Sequence, residues 1–510
     1  MTAALTERPR VPDILECLAQ LSSDEVPTPP KLANAMLDLL PAEVWHDPGY
    51  RWLDPCSKSG VFLREIAKRL LFDGLVKWEP DFEKRREHIF RNMIYGCGIT
   101  ELTGIISRRT VYYSRHASSD HSVIDFDSDE GNIPFVRAEH NFKDGRCQVC
   151  GAPKDLERGE GRENYAYAFI HEAYPTEGME DMKFDVIVGN PPYQVGSDGN
   201  SRTMPIYQHF VRRAIALDPR YVLMITPSRW FATGLGLDEY REVMLADPRI
   251  RHLVHHPNAG EVFPGVEIKG GVSYFLWDHD HSGRCAMTIA RGSERYGPTE
   301  RQLDEFDVLV QDSRALDILR KVLKQNEPSL TEILSVDKEF GMTSNFSAYS
   351  LAEASGTVPL YFVRERERTV GWVSDDTLTK SRHLIDTWKV LIPKAGSDGG
   401  KQPPDVVLGK PWIAPPPSVC TQTFLFVWVA SEDEALSVES YVRTKFFRFL
   451  VSLRKIGQDA TRSTYTWVPQ QDWNQMWSDA DLYERYGLTG DEIAFIESQV
   501  KEMPALEPAK

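Results

Sequence analysis

Runs of apolar residues typical of buried strands alternate with runs that have the spacing of amphipathic helices. The strand-like runs begin at Arg51, Asn92, Asp185 and Tyr221, and the helix-like runs span 61–72 and 206–217. Each strand-like run is short, and most are followed by a turn and a helix-like run. This alternation predicts an α/β fold with a doubly wound, Rossmann-like sheet.

The same patterns divide the chain into segments. Strand and helix alternate at first, and the sheet is expected to close near Asp278. Later residues mix short strands with loops rich in Gly and Pro, which predicts a separate α+β domain before a helical tail. The predicted segments are an α/β domain at 1–281, an insertion without periodicity at about 111–181 within it, the second domain at 282–475 and the tail at 476–510.

Capping signals mark two helix starts. Thr28 followed by Pro29 and Pro30 predicts a helix N-terminus within a helical first forty residues. Thr489 with Glu492 predicts a capping box in the tail.

Composition narrows the range of functions. Hydrophobic residues make up 41% of the 510 residues, which is globular usage, and no apolar run is long enough for a membrane span. The N-terminus carries charges without an apolar stretch, and seven cysteines are few and odd in number, so we expect a cytoplasmic protein without a disulfide framework. A net charge of -16 argues against a general polyanion binder, so any nucleic-acid surface must be local.

The sharpest chemical signal is the tetrad Asn190, Pro191, Pro192 and Tyr193, directly after a buried strand. An adenine amine is a poor nucleophile until acceptors hold both of its hydrogens. An Asn side-chain carbonyl and a proline backbone carbonyl are two such acceptors, and the prolines hold them in place. The Tyr193 ring offers a stacking surface for a base extruded from a duplex. A Pro-rich turn without function is the alternative.

A second signal lies upstream, at the first turn from strand to helix. Gly60 allows close approach of a ligand, the helix N-terminus suits a carboxylate, and Asp54 accepts from an ammonium group. The α-amino and α-carboxyl groups of S-adenosylmethionine match that combination. Glu101, after the next strand, is the candidate for the ribose hydroxyls, with a helix-start carboxylate as the alternative.

In this order the motifs resemble the Eco57I-type amino-N-specific DNA methyltransferases of restriction-modification systems, with the motif order of the γ group. The resemblance implies catalysis by the tetrad, S-adenosylmethionine as cofactor, double-stranded DNA as substrate and a C-terminal domain that recognises the target sequence. It also implies restriction or defence-system subunits as partners. The cofactor-binding residues implied are Thr28, Pro29, Asp54, Pro55, Cys56, Ser57, Lys58, Ser59, Gly60, Phe62, Glu101 and Asn190.

One position departs from the family pattern. Lys58 stands where the cofactor turn usually has its first glycine. The lysine either clashes with the cofactor or contacts its carboxylate. We interpret it as a subfamily trait that leaves the enzyme active.

Cys147 and Cys150 have the spacing of half a zinc knuckle. The two further ligands are not evident from the sequence, and His116, His121 or His140 would have to supply them. A metal-free loop is the alternative, and any zinc would be structural rather than catalytic.

A basic stretch in the second domain is the candidate for phosphate contacts in an otherwise acidic protein. Its alternative is a solvated helix face, since the intervening apolar residues are spaced as core. The basic residues are Arg443, Lys445, Arg448, Arg454, Lys455 and Arg462.

Three other functions remain open. An N5-glutamine protein methyltransferase uses the same tetrad, but such chains resemble a bare catalytic domain. A methyltransferase acting on RNA bases would be expected to carry a recognisable RNA module. A catalytically silent DNA-binding subunit is favoured only by Lys58.

Overall fold

The chain forms two units, residues 1–307 and 308–510. The helices predicted before Val26 lie outside the described residues. The computed structural model describes residues 26–154, 166–176, 179, 182–195, 204–234, 236–396, 403–455 and 457–503.

The first unit is built around an eight-stranded sheet with helices between its strands. Its strands are β1 (Trp52–Ser57), β2 (Ile94–Gly98), β5 (Val186–Gly189), β8 (Tyr221–Pro227), β9 (Ile250–His256), β10 (Val272–Asp278), β11 (Cys285–Arg291) and β12 (Glu294–Arg301). Two small hairpins pair β3 (Phe142–Lys143) with β4 (Arg146–Cys147) and β6 (Gln194–Val195) with β7 (Met204–Pro205). The helices are α1 (Pro30–Leu37), α2 (Val61–Arg69), α3 (Phe82–His88), α4 (Glu101–Tyr112), α5 (Tyr207–Ala216) and α6 (Asp238–Ala246).

The strand order across the sheet is β12-β11-β9-β10-β8-β5-β1-β2. The four strands β2, β1, β5 and β8 are parallel, whereas β10 is antiparallel to both of its neighbours. Every residue of β1, β8 and β10 is buried, as expected for strands covered on both faces. The fold is therefore mixed α/β with a large central sheet.

The sequence suggested that the sheet ends near Asp278, but the structure shows two further strands. The sheet continues through β11, which pairs in parallel with β9, and β12, which pairs antiparallel with β11. β12 gave no strand signal because almost all of its residues are exposed and Gly297 and Pro298 interrupt it.

The predicted insertion contributes to the other edge of the sheet. Backbone N–H groups of Gly96 and Gly98 donate to the carbonyls of Asn132 and Pro134, both at 2.9 Å. Part of the insertion thus runs beside β2 and satisfies an edge that would otherwise be open.

The second unit contains two three-stranded sheets, β14-β13-β17 and β16-β15-β18, with helices beside them. The strands are β13 (Thr357–Arg364), β14 (Glu367–Ser374), β15 (Trp388–Pro393), β16 (Trp412–Ala414), β17 (Val419–Cys420) and β18 (Phe424–Val429). The helices are α7 (Leu316–Lys324), α8 (Glu432–Arg443), α9 (Lys445–Ser452), α10 (Asp479–Arg485) and α11 (Gly490–Gln499).

The helices of the predicted tail belong to this unit, because α10 and α11 both pack against α9. The capping box at the start of α11 is confirmed, with Thr489 and Glu492 satisfying each other's backbone N–H groups. Within the described ranges, no helix has both the length and the apolar character needed to cross a membrane.

Candidate active site

The two chemical motifs lie at the ends of neighbouring strands. β1 runs parallel to β5, so their carboxyl ends reach the same edge of the sheet. The cofactor turn leaves β1 there, and the tetrad leaves β5. The strand order reverses direction between β1 and β5, which is where open α/β sheets form a ligand crevice.

Asn190 is held in one orientation by its amide nitrogen. Nδ2 donates to the carbonyl of Val26 at 2.9 Å and to Oγ1 of Thr28 at 3.1 Å. A backbone carbonyl can only accept, so this contact fixes which end of the amide is the nitrogen. The side chain is 4% exposed, and its oxygen Oδ1 has no hydrogen-bond partner among the described residues. A buried acceptor without a partner is costly, and it is typical of a group that binds a ligand.

The Val26 carbonyl connects the segment before α1 to the tetrad and to the cofactor turn. Besides the Asn190 amide, it accepts from Nζ of Lys58 at 3.4 Å. Lys58 therefore reaches toward the N-terminal segment at the tetrad.

Thr28 does not cap the following helix. Pro29 is the N-cap residue of α1 and makes no side-chain cap bond, while the Thr28 hydroxyl accepts from Asn190 instead. The predicted helix start is confirmed, but the residue expected to cap it contributes to the site.

Asp54 lies within β1 with 3% of its surface exposed. Burial raises the pKa of its carboxyl to about 7, although hydrogen bonds from Cys56 and Ser57 and the charge of Lys58 oppose the rise. The Cys56 N–H donates to its Oδ1 at 3.2 Å. A buried carboxylate with so little cationic compensation is suited to a cationic ligand.

Cys56 forms a direct contact between the cofactor turn and the tetrad. Its thiol is buried and hydrogen-bonded to the backbone of Asn190. A Cβ atom placed on Gly189 would lie 2.7 Å from the Cys56 sulfur, so any larger residue before the tetrad would displace that side chain. Burial raises the pKa of the Cys56 thiol well above its usual value, which keeps the thiol protonated.

The special backbone of Gly60 serves helix packing. Its φ of 70° lies in the left-handed region, and a Cβ there would approach the carbonyl oxygen of Ser107 in α4 to 3.0 Å. In addition, the hydroxyls of Ser57 and Ser107 are 2.9 Å apart. The turn is thus fixed from outside by α4.

The remaining tetrad and turn residues are mostly buried. The Tyr193 ring is 8% exposed, packs edge-on to Phe263 with centroids 6.5 Å apart, and has a hydroxyl without a partner among the described residues. Phe62 lies in the apolar core. Stacking of a base on Tyr193 stays a prediction. The other buried residues of the two motifs are Pro55, Ser59, Pro191 and Pro192.

Glu101 is the first residue of α4 and follows the end of β2. Its side chain is exposed, while Thr100 caps the helix by accepting from the N–H of Thr103. The ribose prediction and its alternative, a carboxylate favoured by the helix dipole, both stay predictions.

Cys147 and Cys150 come together with two histidines in the insertion. Their sulfur atoms lie 3.6 Å from Nε2 of His171 and 3.5 Å from Nδ1 of His140, respectively. Of the three histidines considered from the sequence, only His140 joins the pair; the His116 ring lies 3.1 Å from Asp129.

The basic stretch does not form an exposed face. Arg448, Arg454 and Lys455 are at most 6% exposed, so their side chains are not accessible to phosphates in this structure. Arg443 pairs with Glu439 at 2.9 Å, and Lys445 pairs with Glu497. Arg462 alone among the six is exposed, and it donates to two backbone carbonyls.

Sequence reasoning missed three participants. Val26 acts through its backbone carbonyl, which no side-chain pattern reveals. Phe263 and His171 lie far along the chain from Tyr193 and Cys147, and only the fold brings each pair together.

The sequence is similar to those of known methylases. The family model of Eco57I restriction-modification methylases matches residues 92–263. An uncharacterized adenine-specific methylase of Mycoplasma pneumoniae is 37% identical over 305 residues, which cover 54% of this chain and 72% of that protein.

Solved structures with similar folds share little sequence. A nuclease-deletion mutant of the Type ISP restriction-modification enzyme LlaGI, in complex with a DNA substrate mimic, has a TM-score of 0.53 at 12% identity over 86% of this chain and 45% of that one. A DrdV–DNA complex has a TM-score of 0.48 at 12% identity over 89% and 58%, so this chain spans about half the length of these enzymes. The likeness to LlaGI shows a shared fold alone. The identity to the Mycoplasma protein and the family match show that the chain belongs to the Eco57I-type restriction-modification methylases.

Proposed function

We propose that this chain transfers a methyl group from S-adenosylmethionine to the N6 amine of a flipped adenine in double-stranded DNA. The observation that carries the proposal is the buried Oδ1 of Asn190 beside the cofactor turn, which has no hydrogen-bond partner within the described part of the chain. Family membership supports the reaction class, and the similar Mycoplasma protein is named for adenine.

The tetrad supplies the acceptors that the amine needs. Asn190 Oδ1 accepts one amine hydrogen, and the carbonyl of Pro191 accepts the other, which draws the nitrogen lone pair out of the ring. Because Val26 and Thr28 already hold the Asn190 amide, the acceptor costs little reorganisation during the reaction. The methylated amine is acidic and loses its proton to water, so no separate general base is required.

The turn after β1 fits the cofactor. S-adenosylmethionine, when bound, supplies an electrophilic methyl group. Asp54 binds the α-ammonium group and gains a cationic partner for its buried carboxyl. Glu101, exposed at the end of β2, binds the ribose hydroxyls. The parallel order of β2, β1, β5 and β8 supports this assignment of a doubly wound cofactor-binding sheet.

DNA is favoured over the other substrates considered. A glutamine-directed enzyme has no use for the second unit, residues 308–510, to which we assign recognition of the target sequence. A catalytically silent DNA-binding subunit would not require an Asn190 amide whose nitrogen is held in place so that its oxygen can accept a hydrogen bond. Restriction subunits remain proposed partners of this activity.

The test uses labelled S-adenosylmethionine, mixed-sequence duplex DNA and digestion of the product to nucleosides. We expect label in N6-methyldeoxyadenosine with the wild-type chain and with Asn92→Ala, whose side chain is exposed. Asn190→Ala is expected to lose roughly a hundredfold in rate, which is the size of effect seen when one preorganised hydrogen-bonding group is removed from an active site. Label in N4-methyldeoxycytidine would correct the base, and a wild-type chain that binds the cofactor but leaves the DNA unlabelled would refute the proposal.

A further inference from the structure

Four potential metal ligands meet in the insertion, and together we call them the His2Cys2 cluster. Each offers one nitrogen or sulfur atom, and these four atoms all lie within 4.8 Å of one another. The members are His140, Cys147, Cys150 and His171.

Two distances inside the cluster match those of a tetrahedral metal site. Zinc bonds of about 2.3 Å to sulfur and about 2.0–2.1 Å to nitrogen place neighbouring ligand atoms roughly 3.5 Å apart at a tetrahedral angle. The two sulfur–nitrogen distances, Cys147 to His171 and Cys150 to His140, are 3.6 and 3.5 Å. A thiol hydrogen-bonded to one imidazole explains one such distance, but not the convergence of two thiols and two imidazoles.

The surroundings orient the ligand atoms toward a common centre. His171 Nδ1 lies 2.9 Å from the carbonyl of Tyr167, so the ring donates there and leaves the lone pair of Nε2 for the cluster. Ligating histidines commonly have such a second contact. Backbone N–H groups of Asn141, Val149 and Cys150 are directed at the Cys147 sulfur, as around a thiolate ligand.

The local fold is a tight knuckle. β3 and β4 pair around a turn in which Asp144 and Gly145 have φ values of 52° and 77°. Gly151, directly after Cys150, has a φ of 71° and donates to the Cys147 carbonyl at 2.9 Å. This geometry turns Cys147 and Cys150 to the same side of the knuckle.

We propose that the His2Cys2 cluster binds one structural Zn²⁺ ion, with His140 and His171 completing the site begun by the cysteine pair. Two sulfur and two nitrogen ligands favour zinc over magnesium or calcium, which prefer oxygen. Four protein ligands fill the tetrahedron, so no position is open for catalysis.

The zinc ion joins two parts of the insertion next to the tetrad. His171 belongs to a segment whose Tyr167 and Phe169 rings pack on Phe210 of α5, at centroid distances of 5.6 and 6.1 Å. On the other side, a Cβ at Gly151 would lie 3.8 Å from Met204 of β7, which pairs with the strand directly after Tyr193. The ion therefore fixes the knuckle against the hairpin that follows the catalytic loop.

The test measures metal in the purified full-length chain, which makes it independent of methyl transfer. Elemental analysis without added metal is expected to give one zinc per chain. Cys150→Ser and His171→Ala are expected to lose most of that zinc, whereas His121→Ala, an exposed histidine of the same insertion, keeps it.

Cobalt substitution tests the site in the wild-type chain, so its result does not depend on whether the variants fold. After removal of zinc with a chelator, the wild-type chain is expected to bind Co²⁺ with sulfur-to-cobalt charge transfer and the intense visible bands of tetrahedral coordination. A wild-type chain that contains no zinc and shows no such bands would overturn the proposal. Full zinc content in a folded His171→Ala variant would overturn the assignment of that ligand.

Discussion

At the scale of single residues, the proposed chemistry depends on how the Asn190 amide is oriented. Two acceptors hold its nitrogen, and only one of them, the Thr28 hydroxyl, belongs to a side chain. A substitution at Thr28 therefore measures how much the orientation of the Asn190 amide contributes to the rate of methyl transfer, and Asn190 itself is not altered.

Thr28→Val removes that hydroxyl and preserves the shape of the side chain. A net hydrogen bond contributes about 1 kcal/mol, so we expect kcat for methyl transfer to fall about fivefold to tenfold. Thr28→Ser keeps the hydroxyl and is expected to stay within about twofold of wild type. Steady-state rates with labelled cofactor provide the comparison. A loss in Thr28→Ser without a loss in Thr28→Val would show that packing of the Thr28 methyl group matters instead.

Asp54 predicts a pH dependence of cofactor affinity. Burial raises the pKa of its carboxyl to about 7 in the free protein, and only the ionised form pairs with the cofactor ammonium group. Ionised carboxyl is lost as the pH falls through 7, so we expect the dissociation constant for S-adenosylmethionine to rise roughly twentyfold from pH 7.5 to pH 5.5.

Calorimetry across this range is the measurement, because the α-ammonium group stays largely protonated below pH 7.5. Asp54→Asn is expected to bind weakly with little pH dependence, whereas Glu101→Gln keeps the dependence. A flat profile in the wild-type chain would contradict the role of Asp54.

At the scale of elements, α8 and α9 show why a basic stretch is ambiguous in sequence. Arg448 is 1% exposed and donates to the backbone carbonyls of Arg443, Thr444, Val406 and Lys501. Arg454 stacks over Trp467, with the guanidinium 4.4 Å from the ring centroid. Both arginines therefore contribute to the fold itself.

Arg448→Met tests that assignment. The variant leaves buried carbonyls without donors, and we expect it to lower the free energy of unfolding by about 2–4 kcal/mol. Its DNA affinity, measured below the melting temperature at several salt concentrations, is expected to keep the wild-type salt dependence. Lys324→Met, at an exposed position of the same unit, is the stability control. A stable Arg448→Met variant with a shallower salt dependence would restore the phosphate-binding interpretation.

Elements with strong local signals could be predicted, and those defined by long-range contacts could not. The buried strands β5 and β8 are apolar along most of their length, and the capping box of α11 is a local pattern. β12 has neither burial nor alternation. The tetrad and turn were visible as motifs, but the carbonyl of Val26 and the second metal-ligand candidate, His171, depend on the fold.

At the scale of the whole molecule, the boundary of the catalytic unit follows from the sheet. The sequence placed that boundary after residue 281, whereas the first unit extends to residue 307 and includes β11 and β12. Beyond these strands, Arg241 of α6 donates through Nε to the carbonyl of Asp307 at 3.0 Å. The chain between 282 and 307 is therefore integrated into the first unit.

A fragment of residues 1–307 is expected to melt at a higher temperature than a fragment of residues 1–281. Ending the chain at 281 removes β11 and leaves the backbone of β9 unpaired along 252–255, and an open edge strand promotes association. Thermal melting and size-exclusion chromatography compare the two fragments. The longer fragment is expected to be monomeric and to gain stability with S-adenosylmethionine, because the motif residues 54–60 and 190–193 lie within it. Equal melting temperatures and equal elution would show that β11 and β12 are dispensable, and that β9 can form a stable edge of the sheet.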